Sequence, residues 1–182
     1  VLTVDYRVAS EDPYPAALED AVVAYKWLLD QGYLPENIII AGDSAGGGLA
    51  LATVLYVRDN NIPMPAAIIT MSAWTNLNYR RWTPKYVGNN RADNPYISPI
   101  YGDFSGFPPM LMQVGGDVKL LNDTIEVAQK AREAGVSVRQ TTYPGMFHVF
   151  QMLFPELSDA NAAWNEVETF IKDIYAERLE VK

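Results

Sequence analysis

Short apolar runs rich in β-branched residues alternate with segments of helical periodicity along most of the chain. Continuous apolar cores bounded by turn residues predict five strands: Val1–Tyr6, Asn37–Ala41, Ala66–Ser72, Met110–Val114 and Val136–Thr142. Apolar positions three and four residues apart predict four helices: one that begins at Pro15 and ends before Gly32, one over Ser44–Asp59, one that follows Asn122 and ends at Gly135, and one over Ser158–Leu179. Runs such as Ile38-Ile39-Ile40 do not alternate with polar residues, which is typical of strands covered on both faces. The pattern therefore predicts an α/β fold around a mostly parallel sheet.

One long segment, from Trp74 to Pro109, breaks this rhythm. It is rich in Asn, Pro, Gly, Tyr and Arg and has no persistent period. Loops of this length inside a compact domain usually cover or line a site, so we expect a lid or a pocket wall at about 74–109. Its aromatic side chains are candidates for that wall, although we expect at least half of them to serve ordinary packing: Trp74, Tyr79, Trp82, Tyr86 and Tyr96.

Composition narrows the function classes. The 182 residues are 49% hydrophobic and 20% charged, which predicts one globular domain over residues 1–182. A net charge of −8 without any basic run disfavours nucleic acid and anionic membrane surfaces as partners. The chain has no cysteine, so it has no disulfide, thiolate nucleophile or Cys-ligated metal. No apolar run is long enough to span a membrane, and Asp5 interrupts any signal-peptide core. We expect a cytoplasmic protein that needs no metal or cofactor, with homo-oligomerisation left open.

A candidate nucleophile lies between a predicted strand and a predicted helix. Gly42-Asp43-Ser44-Ala45-Gly46 fits the pattern Gly-x-Ser-x-Gly in the context that this motif requires. A serine hydroxyl is a weak nucleophile unless a tight turn exposes it to a base and to oxyanion donors. Glycines on either side of the turn allow the strand and helix to approach closely. The backbone N–H of Ala45, at the helix N-terminus, is the predicted oxyanion donor. A phosphate-binding loop is a weaker interpretation, because no lysine follows these glycines.

The base and the acid must come from other strand ends. His148 is the only histidine, and it follows the last predicted strand and a Tyr143-Pro144-Gly145 turn. Asp117 is the best candidate acid, because it follows a strand and the Gly115-Gly116 pair; Asp123 is second and resembles a helix cap. The acid would fix the imidazole tautomer rather than take the proton. The carboxylates between the serine and the histidine are Asp59, Asp93, Asp103, Asp117, Asp123, Glu126 and Glu133.

Several of these segments resemble the hormone-sensitive-lipase-like esterases of the α/β-hydrolase superfamily. The resemblance rests on five motifs: Asp5-Tyr6-Arg7, Gly42-Asp43-Ser44-Ala45-Gly46-Gly47, Ser98-Pro99, Gly116-Asp117 and Gly145-Met146-Phe147-His148-Val149-Phe150. It implies a three-layer α/β-hydrolase fold and hydrolysis of short-chain carboxylic esters through an acyl-serine. It also implies a triad of Ser44, Asp117 and His148.

The chain departs from this family in its N-terminal part, where a family motif is missing. Members carry a His-Gly-Gly motif that supplies most of the oxyanion hole, and this motif does not occur here. We therefore expect the C-terminal part of a longer esterase, without the N-terminal strands and the N-terminal part of the cap. One strand would then be missing between the Val1 and Ile38 strands. The alternative is a non-catalytic or nearly inactive small-molecule-binding protein on a hydrolase scaffold.

Overall fold

A sheet of parallel strands lies at the centre of the computed structural model, which describes residues 1–9, 11–79 and 84–179. Within these residues the strands follow one another in chain order, each hydrogen-bonded to the next: β1 (Ile39–Asp43), β2 (Ala67–Met71), β3 (Met110–Gly115) and β4 (Val138–Tyr143). The helices are α1 (Ala16–Asp30), α2 (Ser44–Asp59), α3 (Leu121–Glu133), α4 (Phe150–Leu153) and α5 (Ser158–Leu179). Short 3₁₀ turns cover Pro35–Asn37, Lys85–Val87 and Pro99–Tyr101. The prediction of a parallel α/β sheet is confirmed.

Helices cover both faces of the sheet. On one face, Ile68 of β2 and Met110 of β3 pack against α2 and α3. On the other face, Ile69 and Leu111 pack against Phe170 and its neighbours on α5. Successive strand residues point to opposite faces, so a strand that is covered on both sides needs an unbroken apolar run. The result is the predicted three-layer arrangement.

The strand β1 is an exception to this burial. It pairs with β2 on one side, and Ile39 and Ile40 are only half-buried, whereas every residue of β2 and β3 is buried. Ile39 still packs against the α5 cluster and Ile40 against α2, so β1 is covered on both faces as expected. Its cover is less complete because, within the described residues, it has a neighbouring strand on one side only.

The predicted strand Val1–Tyr6 is also wrong. Residues 1–8 contain no strand, and Val1, Leu2 and Val4 are exposed. A strand forms only where its backbone can hydrogen-bond to a neighbouring strand, and in the described chain none lies beside this segment. Arg7 instead ties the segment to α1, since its backbone N–H and its guanidinium both donate to the Asp20 carboxylate, at 2.9 and 2.8 Å.

Helix boundaries follow the sequence closely, with one omission. The helix α1 ends at Asp30, and Gly32 follows with φ of +86°, the left-handed conformation of a helix C-terminus. The helices α2 and α5 have the predicted bounds. The sequence missed α4, whose four residues are too few to show a helical period. No helix in the described parts of the chain combines the length and apolarity that membrane crossing requires.

Much of the segment at 74–109 packs into the body of the protein. Leu77, Val87 and Ile97 form a small buried cluster, and Phe104 and Phe107 join the core beside α2 and α3. A role for this segment as a lid or pocket wall stays a prediction.

Four of the aromatic candidates of this segment contact other aromatic side chains. Tyr86 packs edge-on against Tyr14, and Tyr96 packs against Tyr56. The Trp74 indole N–H donates to the Tyr79 hydroxyl at 2.8 Å. These contacts of Trp74, Tyr79, Tyr86 and Tyr96 agree with the expected packing role. Trp82 lies outside the described residues.

Candidate active site

Ser44 lies at the turn where β1 passes into α2. Its φ is +49°, in the left-handed region that costs a non-glycine residue free energy. A Cβ at Gly42 would stand 2.2 Å from the backbone oxygen of Gly46, so the turn closes only with glycine at that position. The chain is thus folded sharply around the serine, as a nucleophile elbow requires.

The glycines of the first turn of α2 differ from the expectation. A Cβ at Gly46 would meet nothing nearer than the Tyr6 hydroxyl, at 3.8 Å, so close approach does not require glycine there. The tight positions are Gly47 and Gly48, where a Cβ would lie 2.8 Å from the Ala73 Cβ and 2.2 Å from the Trp74 oxygen. These two glycines let α2 pack against the end of β2, a requirement that the motif alone did not reveal.

His148 reaches Ser44 from the loop that follows β4. Its Nε2 lies 2.8 Å from the Ser44 Oγ, although the two residues are 104 positions apart. The imidazole is exposed and the serine is half-buried. If Nδ1 carries the ring proton, Nε2 can accept the hydroxyl proton of the serine, which is the arrangement of a general base with its nucleophile.

The backbone beside His148 is strained and held in place. Val149 has φ of +55°, which is unusual for a β-branched residue, and its side chain is buried. Its N–H donates to the Oγ of Ser72 at 3.5 Å. Ser72 follows β2, is fully buried and has φ of +49°. Sequence reasoning missed Ser72, because only its place at a strand end distinguishes it from other serines.

Asp117 lies beside the histidine loop through its backbone. Its N–H donates to the Met146 oxygen at 3.0 Å, and the Gly116 N–H donates to the Tyr143 oxygen at 2.7 Å. The Asp117 carboxylate is exposed. In the described part of the chain, no hydrogen bond joins it to His148. The structure therefore brings the two loops together without joining the acid to the imidazole.

Asp123 does not cap a helix, contrary to expectation. It lies in the first turn of α3, whose N-cap residue is Leu120, without a side-chain capping bond. Asp123 is half-buried, and this desolvation, together with the charge of Glu126, raises the pKa of its carboxyl group.

The other carboxylates between Ser44 and His148 make no hydrogen bond to the imidazole within the described residues. Asp59, Asp93 and Asp103 hydrogen-bond to local or neighbouring side chains, and Glu126 and Glu133 lie exposed on α3. The partners are Arg58 and Tyr96 for Asp59, Arg91 for Asp93, and Ser105 for Asp103.

Ala45 is the second residue of α2, so its backbone N–H has no acceptor within the helix. This N–H is free to bind an anion at the helix N-terminus, next to the Ser44 hydroxyl. In the part of the chain that the structure describes, no group of three or more His, Asp or Glu side chains is placed to hold a metal ion.

Comparison with known proteins finds a family model that matches most of the chain. Residues 1–152 match the model of a family described as having the alpha/beta hydrolase fold. The chain is 36% identical to an acetyl-hydrolase of Streptomyces hygroscopicus, covering 98% of this chain and 67% of that protein. It is 35% identical to an esterase of Acinetobacter venetianus, covering 93% of this chain and 64% of the relative.

Solved structures agree with these relatives. An esterase/lipase from an uncultured bacterium superposes with a TM-score of 0.88 at 37% identity, covering 94% of this chain and 64% of the other. An esterase from the bacterial hormone-sensitive lipase family gives a TM-score of 0.87 at 35% identity, covering 93% and 64%. The chain thus spans 64 to 67% of the length of these four proteins.

Proposed function

Because the chain belongs to the α/β-hydrolase fold family and, within it, to the hormone-sensitive-lipase-like esterases, we propose that the protein hydrolyses carboxylic esters with Ser44 as its nucleophile. The observation that carries this proposal is the 2.8 Å contact between the Ser44 Oγ and the His148 Nε2. A base at this distance can take the proton of the serine hydroxyl, which covalent acyl transfer requires.

The proposed reaction has two halves. In the first, the Ser44 Oγ attacks the ester carbonyl carbon, and its proton passes to the His148 Nε2. The imidazolium then gives this proton to the departing alcohol, which leaves an acyl-serine. In the second half, His148 takes a proton from water, the resulting hydroxide attacks the acyl carbon, and Ser44 regains its proton as the carboxylic acid leaves.

Two further residues complete the proposal. The Ala45 N–H would donate to the oxyanion of the tetrahedral intermediate, since it lies at the helix N-terminus beside Ser44. Asp117 would accept a hydrogen bond from the His148 Nδ1 and so select the tautomer with a free Nε2. Support for Asp117 comes from its backbone bond to Met146 in the histidine loop.

For the substrate we propose short-chain esters. One matched relative is named an acetyl-hydrolase, and another is named an esterase. The other interpretation of the sequence, a binding protein without catalysis, gains no support from the described residues, because Ser44 and His148 are both present and in contact.

A fluorophosphonate probe tests the nucleophile directly. This probe forms a lasting adduct only with an activated serine, so the label accumulates even when turnover is slow. We expect mass spectrometry to map the adduct to Ser44. The variant Ser44→Ala should lose the label and reduce the hydrolysis of p-nitrophenyl acetate by about 10³-fold or more.

Ser137→Ala is the matched control, because Ser137 is exposed and precedes β4, at the opposite end of that strand from His148. Its labelling and turnover should equal those of the unaltered chain. Equal labelling of the Ser44→Ala variant and the unaltered chain would contradict the proposal.

A further inference from the structure

A buried polar network lies beneath the loop that carries His148, and the proposed reaction does not use it. Its members come from three separate elements: Gln113 from β3, Gln151 from α4 and Glu166 from α5. Gln113 and Gln151 expose 0% and 1% of their surface. Polar side chains are rarely buried this completely unless their hydrogen bonds fix a structure.

The Glu166 carboxylate is the centre of this network. It accepts hydrogen bonds from the hydroxyl of Thr141 at 2.5 Å, the hydroxyl of Tyr143 at 2.9 Å and the Gln113 amide nitrogen at 2.8 Å. Burial, reinforced by the hydrogen bond to Glu166, raises the pKa of Tyr143, so its phenol keeps its proton and remains a donor. An ionised carboxylate only accepts hydrogen bonds, so all three neighbours must present a hydrogen atom to it.

The Glu166 carboxylate therefore fixes the orientation of the Gln113 amide, and Gln113 fixes that of Gln151. The Gln113 amide nitrogen donates to Glu166 and to the Ala163 oxygen, both of which are acceptors. The Gln113 oxygen must therefore face the other way, where it accepts a hydrogen bond from the Gln151 amide nitrogen at 3.0 Å. The side-chain oxygen of Gln151 then has no hydrogen-bond partner among the described residues. Burying an unpaired oxygen costs free energy, and the orientation of the Gln151 amide imposes this cost.

Gln151 connects the network to the histidine. It lies three positions after His148, and its own backbone oxygen accepts the indole N–H of Trp164 at 3.0 Å. Phe150, next to Gln151, packs on the Tyr143 ring at a centroid distance of 5.1 Å. Gln151, just after the histidine loop, is thus held through both its side chain and its backbone oxygen.

We infer that Glu166 is a positioning residue, which acts through Gln113 and Gln151 to hold the His148 ring against Ser44. This inference rests on the proposed ester hydrolysis for its kinetic consequence. A displacement of about 1 Å between reacting groups can reduce the rate by about 10²-fold, so a loop that is fixed in this way matters for turnover.

The substitution Glu166→Gln keeps the shape of the side chain and removes its charge. Its new amide nitrogen is a donor that faces Thr141, Tyr143 and Gln113, which are all donors already. A hydroxyl of Thr141 or Tyr143 must turn to accept from this nitrogen, or one contact must break. In either case Gln113 loses its charged acceptor, so its amide is held less firmly. The variant Gln151→Met is milder, because it removes the last hydrogen bond while keeping the length of the side chain.

The experiment compares these two variants with Glu168→Gln. Glu168 is two positions from Glu166 on the same helix and is exposed, and its side chain pairs with Lys172 at the surface. This control makes the same change of charge outside the network. For each variant, kcat and KM are measured with p-nitrophenyl acetate, and the rate of fluorophosphonate labelling at Ser44 is followed. Ring resonances of His148, the only histidine of the chain, are recorded by ¹⁵N NMR.

We expect Glu166→Gln and Gln151→Met to lower kcat and the labelling rate by about 10- to 100-fold, with little change in KM. The His148 ring resonances should shift in both variants and stay unchanged in Glu168→Gln. If Glu166→Gln does not fold, Gln151→Met decides the result alone.

A folded Gln151→Met variant with unchanged kcat and unchanged His148 resonances would overturn the inference, even if its melting temperature fell. Failure of the proposed function looks different. In that case the unaltered chain neither hydrolyses the ester nor takes the label, and the His148 resonances still report whether the network holds the ring.

Discussion

Asp117 and Asp123 are six positions apart, yet their surroundings suit them to different roles. Asp117 follows β3 directly, and its backbone bond to Met146 places it against the histidine loop. Asp123 lies in the first turn of α3, where burial and Glu126 raise the pKa of its carboxyl group and so disfavour its charged form. A residue that stabilises an imidazolium must carry a negative charge, which disfavours Asp123, and the backbone contact with the histidine loop favours Asp117.

The pair Asp117→Asn and Asp123→Asn tests this assignment. Asp117→Asn should lower kcat by about 10³- to 10⁴-fold, because an amide at this position stabilises the wrong imidazole tautomer. Asp123→Asn should leave kcat within a few fold. Because the folded state raises the pKa of Asp123, its ionised form costs stability at neutral pH, so Asp123→Asn should melt at the same or a higher temperature. The measurements are steady-state kinetics and thermal unfolding at pH 7. A large loss of kcat in Asp123→Asn alone would move the acid to that residue.

Single residues also show where sequence reasoning stops. The turn at Ser44 could be predicted because its motif demands one, and the contact with His148 because the chain has no other histidine. Ser72, Gln113 and Glu166 could not, because their roles depend on contacts across 53 or 77 positions of the chain. Such contacts leave no local pattern, since a buried glutamine and an exposed one look alike in a sequence.

Elements were predictable where the chain itself supplies what they need. An amphipathic helix such as α5 needs only its own period and a surface to cover, so its predicted bounds are the observed ones. A strand also needs a neighbour at hydrogen-bonding distance, which explains why the apolar run Val1–Tyr6 forms none here. The glycine motif indicated a close approach of β1 and α2 but did not show which of its glycines allows it.

The variants Gly42→Ala and Gly46→Ala separate these two glycines. A methyl group at Gly42 meets a backbone oxygen at 2.2 Å, so β1 and α2 must move apart. We expect a loss of about 1–3 kcal/mol in the free energy of unfolding, together with a clear loss of labelling at Ser44. At Gly46 the methyl group finds room, and alanine favours a helix over glycine by about 1 kcal/mol, so stability should hold or rise. Urea unfolding and probe labelling measure both effects, and equal losses in the two variants would refute this account of the turn.

The whole molecule combines a net negative charge with exposed apolar side chains. The net charge is −8 at pH 7 and the isoelectric point is about 4.6. One exposed surface lies along α1 and the residues after it, and another follows His148. Their members are Val23, Trp27, Tyr33 and Leu34 on the first, and Met152, Leu153 and Phe154 on the second. Exposed apolar patches favour contact between molecules, and like charge opposes it. The sequence left homo-oligomerisation open, and these opposing effects predict that any self-association responds to pH and salt.

Self-association should therefore grow as the pH falls from about 8 toward about 5, because protonation of carboxylates removes the repulsion between molecules. At about pH 8, added salt should act in the same direction, since 0.15 M salt screens charges beyond about 8 Å. Trp27→Gln removes one large exposed aromatic ring without changing the charge, so it should weaken the association at each pH. Sedimentation velocity gives the molar mass, and circular dichroism verifies that the fold persists at the lower pH. A molar mass that does not change with pH or salt would show that neither these patches nor the charge governs how the molecules meet.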